Sequence, residues 1–218
     1  MYKLYYYPGN ANLAPHILLE EIGTPYELML VDREQNEHKS RAYMKLNPNG
    51  RIPTLVDGNL TLFESAAICM YLADKHPVAN LAPLVGDRAR AYLYQWLIYL
   101  TNTIQPEILA FHYPSQYIAD ASNADSTEEI IKFIKIKAEK QLERMFNIIN
   151  NSLIEGPYML GQNFSVCDAY LLMLSRWCRT LKHSPRNFPN LRRCLEYIAA
   201  RPAVHKAFKT EGIKEPYF

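Results

Sequence analysis

At Asp87 the spacing of apolar residues changes, and this change constrains the fold more than any single motif. Before it, short β-prone runs alternate with helical stretches. "YKLYYY", residues 2–7, is a Tyr-rich run closed by Pro8-Gly9, a dipeptide that marks a turn. Leu13, Ile17, Leu18 and Ile22 then follow a helical spacing, with Gly23 as its stop. "YELMLVD" (26–32), "RIPTLVD" (51–57) and "LTLFES" (60–65) read as three further strands, with Asp57-Gly58-Asn59 as a hairpin turn between the last two. A helix then runs from Ser65 through Ile68, Tyr71 and Leu72 towards His76-Pro77.

After Asp87 only the helical period survives. Leu93, Trp96, Leu97 and Leu100 recur at i, i+3, i+4 and i+7, and Ile130, Ile131, Ile134, Ala138, Leu142, Met145 and Ile149 continue the pattern over several turns. Ser126 with Glu129, and Ser165 with Asp168, have the spacing of capping boxes. "FPNLRRCLEYIAARP" reads as a further helix stopped by Pro202, and no strand is expected beyond residue 87. The expected product is an α/β unit over residues 1–77, a Pro- and Gly-containing linker over 78–86, and an all-helical unit over 87–218.

Charge and composition exclude several classes. With 218 residues, 24 basic and 22 acidic, the net charge is +2 and no clustered basic stretch appears, so no nucleic-acid partner is expected. No run of roughly 18 apolar residues occurs, so no membrane span is expected. The first residues lack the apolar core of a signal peptide. Cys69, Cys167, Cys178 and Cys194 sit in helical patterns without CxxC spacing, which reads as reduced core thiols and a cytoplasmic location.

Two short stretches invite chemistry. Ile52-Pro53 follows a turn-like "NPNG" and begins a strand. A cis bond there would turn the backbone of Ile52 outward to meet an extended peptide like an added strand, whereas a trans proline at a sheet edge is the ordinary alternative. Glu64-Ser65 lies where a strand gives way to a helix. Unpaired N–H groups and the positive end of the helix could hold a carboxylate there, with Glu64 meeting an ammonium; a plain helix cap is the alternative.

Taken together, "NPNGRIPTLVDGNLTLFESAAICMYLAD" (47–74) resembles the glutathione-binding block of the cytosolic glutathione transferases. "PGNANLAPHILLEE" resembles their first βα turn, "EHKSRAYMKLNP" their second-helix region and "FSVCDAYLL" the cap of their helical part. The likeness spans the chain and is nearest to the bacterial beta class. It implies a thioredoxin-like N-terminal domain, an all-α C-terminal domain, a homodimer and glutathione as co-substrate. Carried onto this sequence, Ile52 before Pro53 would pair with the cysteinyl unit. Glu64 and Ser65 would hold the γ-glutamyl end, and His38 and Lys39, beside Arg51, the glycyl carboxylate.

The chain departs from the beta class where the reacting groups belong. Ala11 stands in place of the cysteine of the first turn, and Gln105, nine residues after Trp96, in place of a histidine. The glutathione sulfur must then be activated by a donor. A free thiol has a pKa near 8.5, and lowering it by two units requires about 2.7 kcal/mol of preference for the thiolate. Asn12 and Tyr6 are the expected donors. Tyr99, Thr103, Phe111, Tyr113 and Tyr117 would wall the electrophile site, with His112 in a helix-end role. The resemblance implies conjugation of glutathione to small hydrophobic electrophiles; glutathione-dependent peroxide or disulfide reduction, and ligand binding without catalysis, are the alternatives.

Overall fold

The computed structural model describes residues 1–118, 124–153 and 155–218. Its sheet has four strands, β1 (Tyr2–Tyr6), β2 (Tyr26–Leu30), β3 (Thr54–Asp57) and β4 (Leu60–Phe63), in the order β2-β1-β3-β4. β1 and β2 are parallel, as a crossover through helix α1 (Leu13–Ile22) demands. β3 runs antiparallel to β1 and β4, and the hairpin turns at Gly58 with φ 58°. β1 alternates: Tyr2 and Leu4 join the main core with α1 and α3 (Ser65–Lys75), while Tyr5 packs on a smaller cluster of Val31, Tyr43 and Ile52. The segment between β2 and β3 forms a 3₁₀ turn, Glu37–Lys39, and a single-turn helix α2 (Arg41–Met44) capped by the Ser40 hydroxyl.

The rest of the described chain is helical apart from one isolated bridge, Tyr158 to Gly161. Helix α4 (Arg88–Ile98) passes through a π-helical turn, Tyr99–Ile104, into α5 (Gln105–His112). Then come α6 (Ala124–Ser152), α7 (Val166–Trp177), α8 (Pro189–Ala199) and α9 (Pro202–Thr210). Two sequence readings change here. Helix α6 starts at Ala124, before Ser126, so Ser126 is not its cap residue; its side chain lies outside the described residues. Pro202 does not only stop α8: it also opens α9 at a position where its missing N–H costs nothing.

Helix α7 is the centre of the helical layer, with every residue from Val166 to Ser175 buried. Its expected cap is present. The Asp168 carboxylate accepts from the backbone and hydroxyl of Ser165 and, through its other oxygen, from Met159 N–H. Burial raises the Asp168 carboxyl to about 6, against the pull of those donors. All four cysteines are free and buried, and burial raises each thiol above its ordinary range. Among the described residues no helix is long and apolar enough to cross a membrane.

Besides the ion pairs Arg201–Glu21, Lys206–Glu20 and Arg90–Asp74, the two layers are joined by a buried carboxylate that follows α9. Glu211 is buried, and its Oε1 lies 2.6 Å from His16 Nδ1 and 2.9 Å from the Asn12 amide nitrogen. Its Oε2 accepts from Gly9 N–H at 2.8 Å. The carbonyl of Gly9 accepts from the Trp177 indole at 3.1 Å. Both polar backbone groups of Gly9, which has φ 69°, are thus fixed by the helical layer. Removing one partner of such a buried set leaves the others desolvated and unpaired. Glu211→Ala is therefore expected to destabilise the protein by about 3–5 kcal/mol; a urea-denaturation loss below about 1 kcal/mol would contradict this account.

Candidate active site

Where the first βα turn meets α5, the structure has a cleft of about 510 Å³. The sheet side contributes Gly9, Asn10 and Ala11 from the turn, Arg33, His38 and Lys39 from the segment after β2, and Gly50, Arg51 and Ile52. Gln105, Ile108, Leu109, His112 and Tyr113 come from α5 and its end, Gln116 from the turn beyond, and Trp177 and Arg179 from the end of α7 and just after it. No cysteine lines it.

Ile52 is held by its side chain and left open at its backbone. The side chain is buried in the small cluster with Val31 and Tyr43. The Ile52–Pro53 bond is cis. Neither the N–H nor the C=O of Ile52 has a partner among the described residues. Its neighbour is clamped: the Arg51 carbonyl accepts from the Tyr43 hydroxyl and from the Asn47 amide, each at 2.7 Å. Tyr43 also meets Thr54 Oγ1 at 3.0 Å, and Asn47 Oδ1 accepts from Asn49 N–H at 3.1 Å. An exposed pair of strand-like backbone groups on a rigid base is what an extended peptide needs.

The cationic corner lies beside it. Lys39 Nζ donates to the Asn49 carbonyl at 3.2 Å, and burial, with Arg33 and Lys39 close by, lowers the His38 imidazole below its ordinary value. His38 Nδ1 is buried without a partner among the described residues. Gly50 makes this corner possible. It has φ 55°, and a Cβ there would stand 2.8 Å from the His38 carbonyl, closer than real contacts allow.

Glu64 and Ser65 are adjacent to the cleft and do not line it. Glu64 is exposed and has φ 70°, an unfavourable conformation for a residue with a side chain. The Ser65 hydroxyl donates to the Ala11 carbonyl at 2.7 Å. Its proton is therefore engaged in fixing the turn, so of the Ser65 groups expected to hold a ligand the hydroxyl is already committed. The Ser65 N–H, at the start of α3, remains in the unpaired first turn.

The two expected thiolate donors do not reach the cleft. Asn12 is 0% exposed; its Oδ1 accepts from Tyr7 N–H at 3.1 Å and its amide donates to Glu211. The reading of Asn12 as a donor to sulfur is corrected: the side chain turns inward to serve the clamp. Tyr6, on the Tyr2–Leu4 face of β1, is also absent from the lining. Two other amides, Asn10 and Gln105, line the cleft. Asn10 Oδ1 accepts from Ala11 N–H at 2.8 Å, and Gln105 Oε1 accepts from the Tyr170 hydroxyl at 2.6 Å. In each case the oxygen is occupied, and the NH₂ group has no partner among the described residues. The sequence reads Gln105 as a missing histidine, although an oriented amide is a donor in its own right.

The expected aromatic wall is also largely replaced. Of Tyr99, Thr103, Phe111, Tyr113 and Tyr117, only Tyr113 lines the cleft. Tyr99 packs edge-on to Trp96, Phe111 against the main core, and the Tyr117 hydroxyl reaches the Pro106 carbonyl. The cause is the π-helical turn at Tyr99–Ile104. It widens the winding, so a face extrapolated at 3.6 residues per turn is out of phase beyond it. His112 sits at a helix end as expected, its Nε2 2.9 Å from the Trp177 carbonyl, and it also lines the cleft. Trp177 and Arg179 carry no local sequence signal, because only the tertiary packing of α7 brings them here.

Gly50→Ala is expected to distort the His38–Lys39 corner and to destabilise the protein by about 1–3 kcal/mol, from strain at a positive φ and the backbone overlap. Thermal unfolding checks this, and an unchanged midpoint would contradict it.

The chain matches the family description "Glutathione S-transferase, N-terminal domain" over residues 1–74 and "Glutathione S-transferase, C-terminal domain" over residues 124–202. It is 31% identical to the glutathione S-transferase GstA of Escherichia coli O157:H7, over 97% of this chain and 100% of that one. A glutathione transferase homologue from Sulfitobacter, solved with bound glutathione, superposes with a TM-score of 0.86 at 26% identity, covering 98% of this chain and 99% of that one. A sphingomonad glutathione S-transferase, also complexed with glutathione, gives 0.79 at 30% identity, over 97% and 100%. With a thioredoxin-like four-stranded sheet, a helical C-terminal layer and these likenesses along its whole length, the chain belongs to the glutathione S-transferase family.

Proposed function

We propose that this protein is a glutathione S-transferase that binds glutathione in the cleft and transfers its sulfur to small electrophiles. The observation that carries the reading is the unpaired backbone of Ile52 next to a cationic corner, in a cleft that presents two oriented amides, one from each wall. In this reading the N–H and C=O of Ile52, set by cis-Pro53, pair with the cysteinyl unit. Lys39, Arg51 and the His38 imidazole receive the glycyl carboxylate. The Ser65 N–H and the Glu64 carboxylate receive the two charges of the γ-glutamyl end. Relatives of this family solved with glutathione support the choice of tripeptide.

The protein supplies no covalent group. Ala11 opens space in the turn, and the Asn10 and Gln105 amides donate to the sulfur from opposite walls. Each net hydrogen bond to a charged acceptor contributes about 1.5–3 kcal/mol, which matches the roughly 2.7 kcal/mol that a two-unit shift requires. The electrophile enters against Ile108, Leu109, Tyr113 and Trp177, and the thiolate attacks without a slow reorganisation of donors.

A homodimer in the cytoplasm completes the proposal. The edge strand β4 exposes Leu60 and Phe63, and α4 exposes Tyr92 and Ile98, apolar surface suited to a second copy. The reduced, buried cysteines suit a reducing compartment.

Calorimetry with glutathione and turnover of 1-chloro-2,4-dinitrobenzene test the activity; no heat of binding would overturn it. Asn10→Ala and Gln105→Leu are each expected to raise the pKa of the bound thiol by about one unit or more, the equivalent of about 1.4 kcal/mol or more. Rates should then fall most below the wild-type thiol pKa and recover at alkaline pH. Ultraviolet titration of the bound thiolate measures the shift, and an unshifted curve in both variants would remove these amides from the mechanism. Sedimentation equilibrium is expected to show a dimer that Phe63→Glu weakens, and a monomeric wild type would refute the assembly.

A further inference from the structure

Among the described residues, the cleft is lined by four permanent cations, Arg33, Lys39, Arg51 and Arg179, and by no aspartate or glutamate. None of the four has a carboxylate partner among the described residues, although Lys3, Lys75, Arg90, Arg192, Arg201 and Lys206 do. Three of the free cations, Arg33, Lys39 and Arg51, lie on the sheet side. The fourth is on the opposite wall. Arg179 follows Trp177, whose indole is bonded to Gly9, and its Nη1 donates to the Arg176 carbonyl at 2.8 Å. That bond secures one edge of the guanidinium and leaves its other N–H groups for a ligand.

Glutathione, in the placement proposed above, does not use this charge. Its glycyl carboxylate is met on the sheet side, and its other carboxylate and its ammonium are met at Ser65 and Glu64. Arg179 therefore faces the space that the electrophile occupies. An unpaired guanidinium beside a hydroxyl (Tyr113) and an imidazole (His112) on one wall favours an anion, since guanidinium binds carboxylate through paired, charge-assisted hydrogen bonds. We propose that the electrophilic substrates of this protein carry a carboxylate, recognised by Arg179, set apart from the carbon that reacts. The inference rests on the reading of the cleft as a glutathione site. In the reaction of a chloroarene of this kind, the sulfur–carbon bond forms at the ring carbon, chloride departs with the bonding pair, and the thiol proton passes to solvent.

The test uses 4-chloro-3,5-dinitrobenzoate and its methyl ester, together with the S-aryl glutathiones that each produces. Calorimetry on the intact protein should show the carboxylate conjugate binding about tenfold tighter than the ester conjugate, a modest yield for one guanidinium–carboxylate pair. The rate enhancement over the uncatalysed reaction should favour the acid by a similar factor. In Arg179→Gln both ratios should fall to about one, and Arg179→Lys should restore part of the preference. Equal binding of the two conjugates by the wild type, or a preference that persists in Arg179→Gln, would overturn this inference and leave the glutathione site standing. Binding of neither conjugate would overturn the inference together with the glutathione reading beneath it.

Discussion

The carboxylate of Glu211 is the constraint on which the rest of the site depends. It brings Gly9, Asn12 and His16 to a single buried carboxylate just past α9, almost the whole chain length away. The turn they form is the floor of the cleft. Without that anchor, the Gly9 N–H would lose its partner, and the turn that carries Asn10, one of the two amides proposed to meet the sulfur, would be held less firmly. A donor that must be reoriented at the moment of reaction contributes less than one already in place. The fold therefore uses a buried ion, costly in itself, to give the turn a single shape.

A second anchor works by the same logic on the other side of the cleft. Tyr43 and Asn47 both bond the carbonyl of Arg51, and the Ile52 side chain is buried beneath. The residue whose backbone must meet a peptide is thus immobilised through everything except that backbone. Gly50 permits the close passage of His38 and Lys39 over the same loop. The recognition groups are few, and most of the surrounding sequence serves to hold them still.

Much of this was legible in the sequence, for identifiable reasons. The strands, the first and third helices and the hairpin at Gly58 follow from local periodicity and turn chemistry. Ile52, His38, Lys39 and Arg51 line the cleft, and each belongs to a motif read along the chain. What failed depends on side-chain direction or on distant packing. Asn12 and Asn10 are two residues apart at a helix start, and nothing local states which of them faces inward. The choice is made by Glu211, which lies beyond Pro202, where the sequence reading places the chain in the helical unit without naming a separate helix. Val204, Ala207 and Phe208 do carry a helical spacing there, and Pro202 suits a first helical position; a proline read only as a stop hides both.

The displaced aromatic wall has a comparable origin, and it bears on chemistry. A six-residue π-helical turn shifts the face that α5 shows to the cleft. Tyr99, at the start of that turn, packs on Trp96 three residues before it, and beyond the turn Gln105 and His112 line the opening. A wall of rings would select flat apolar electrophiles by area alone. A wall with an amide, an imidazole and a guanidinium between Ile108, Leu109 and Trp177 selects by charge and hydrogen bonding as well. Polar selection is the sharper kind, because a site built around a ligand group leaves its own donors unpaired when that group is missing. The same winding that precedes Gln105, the proposed donor to the sulfur, thus also sets the chemical character of the wall that faces it.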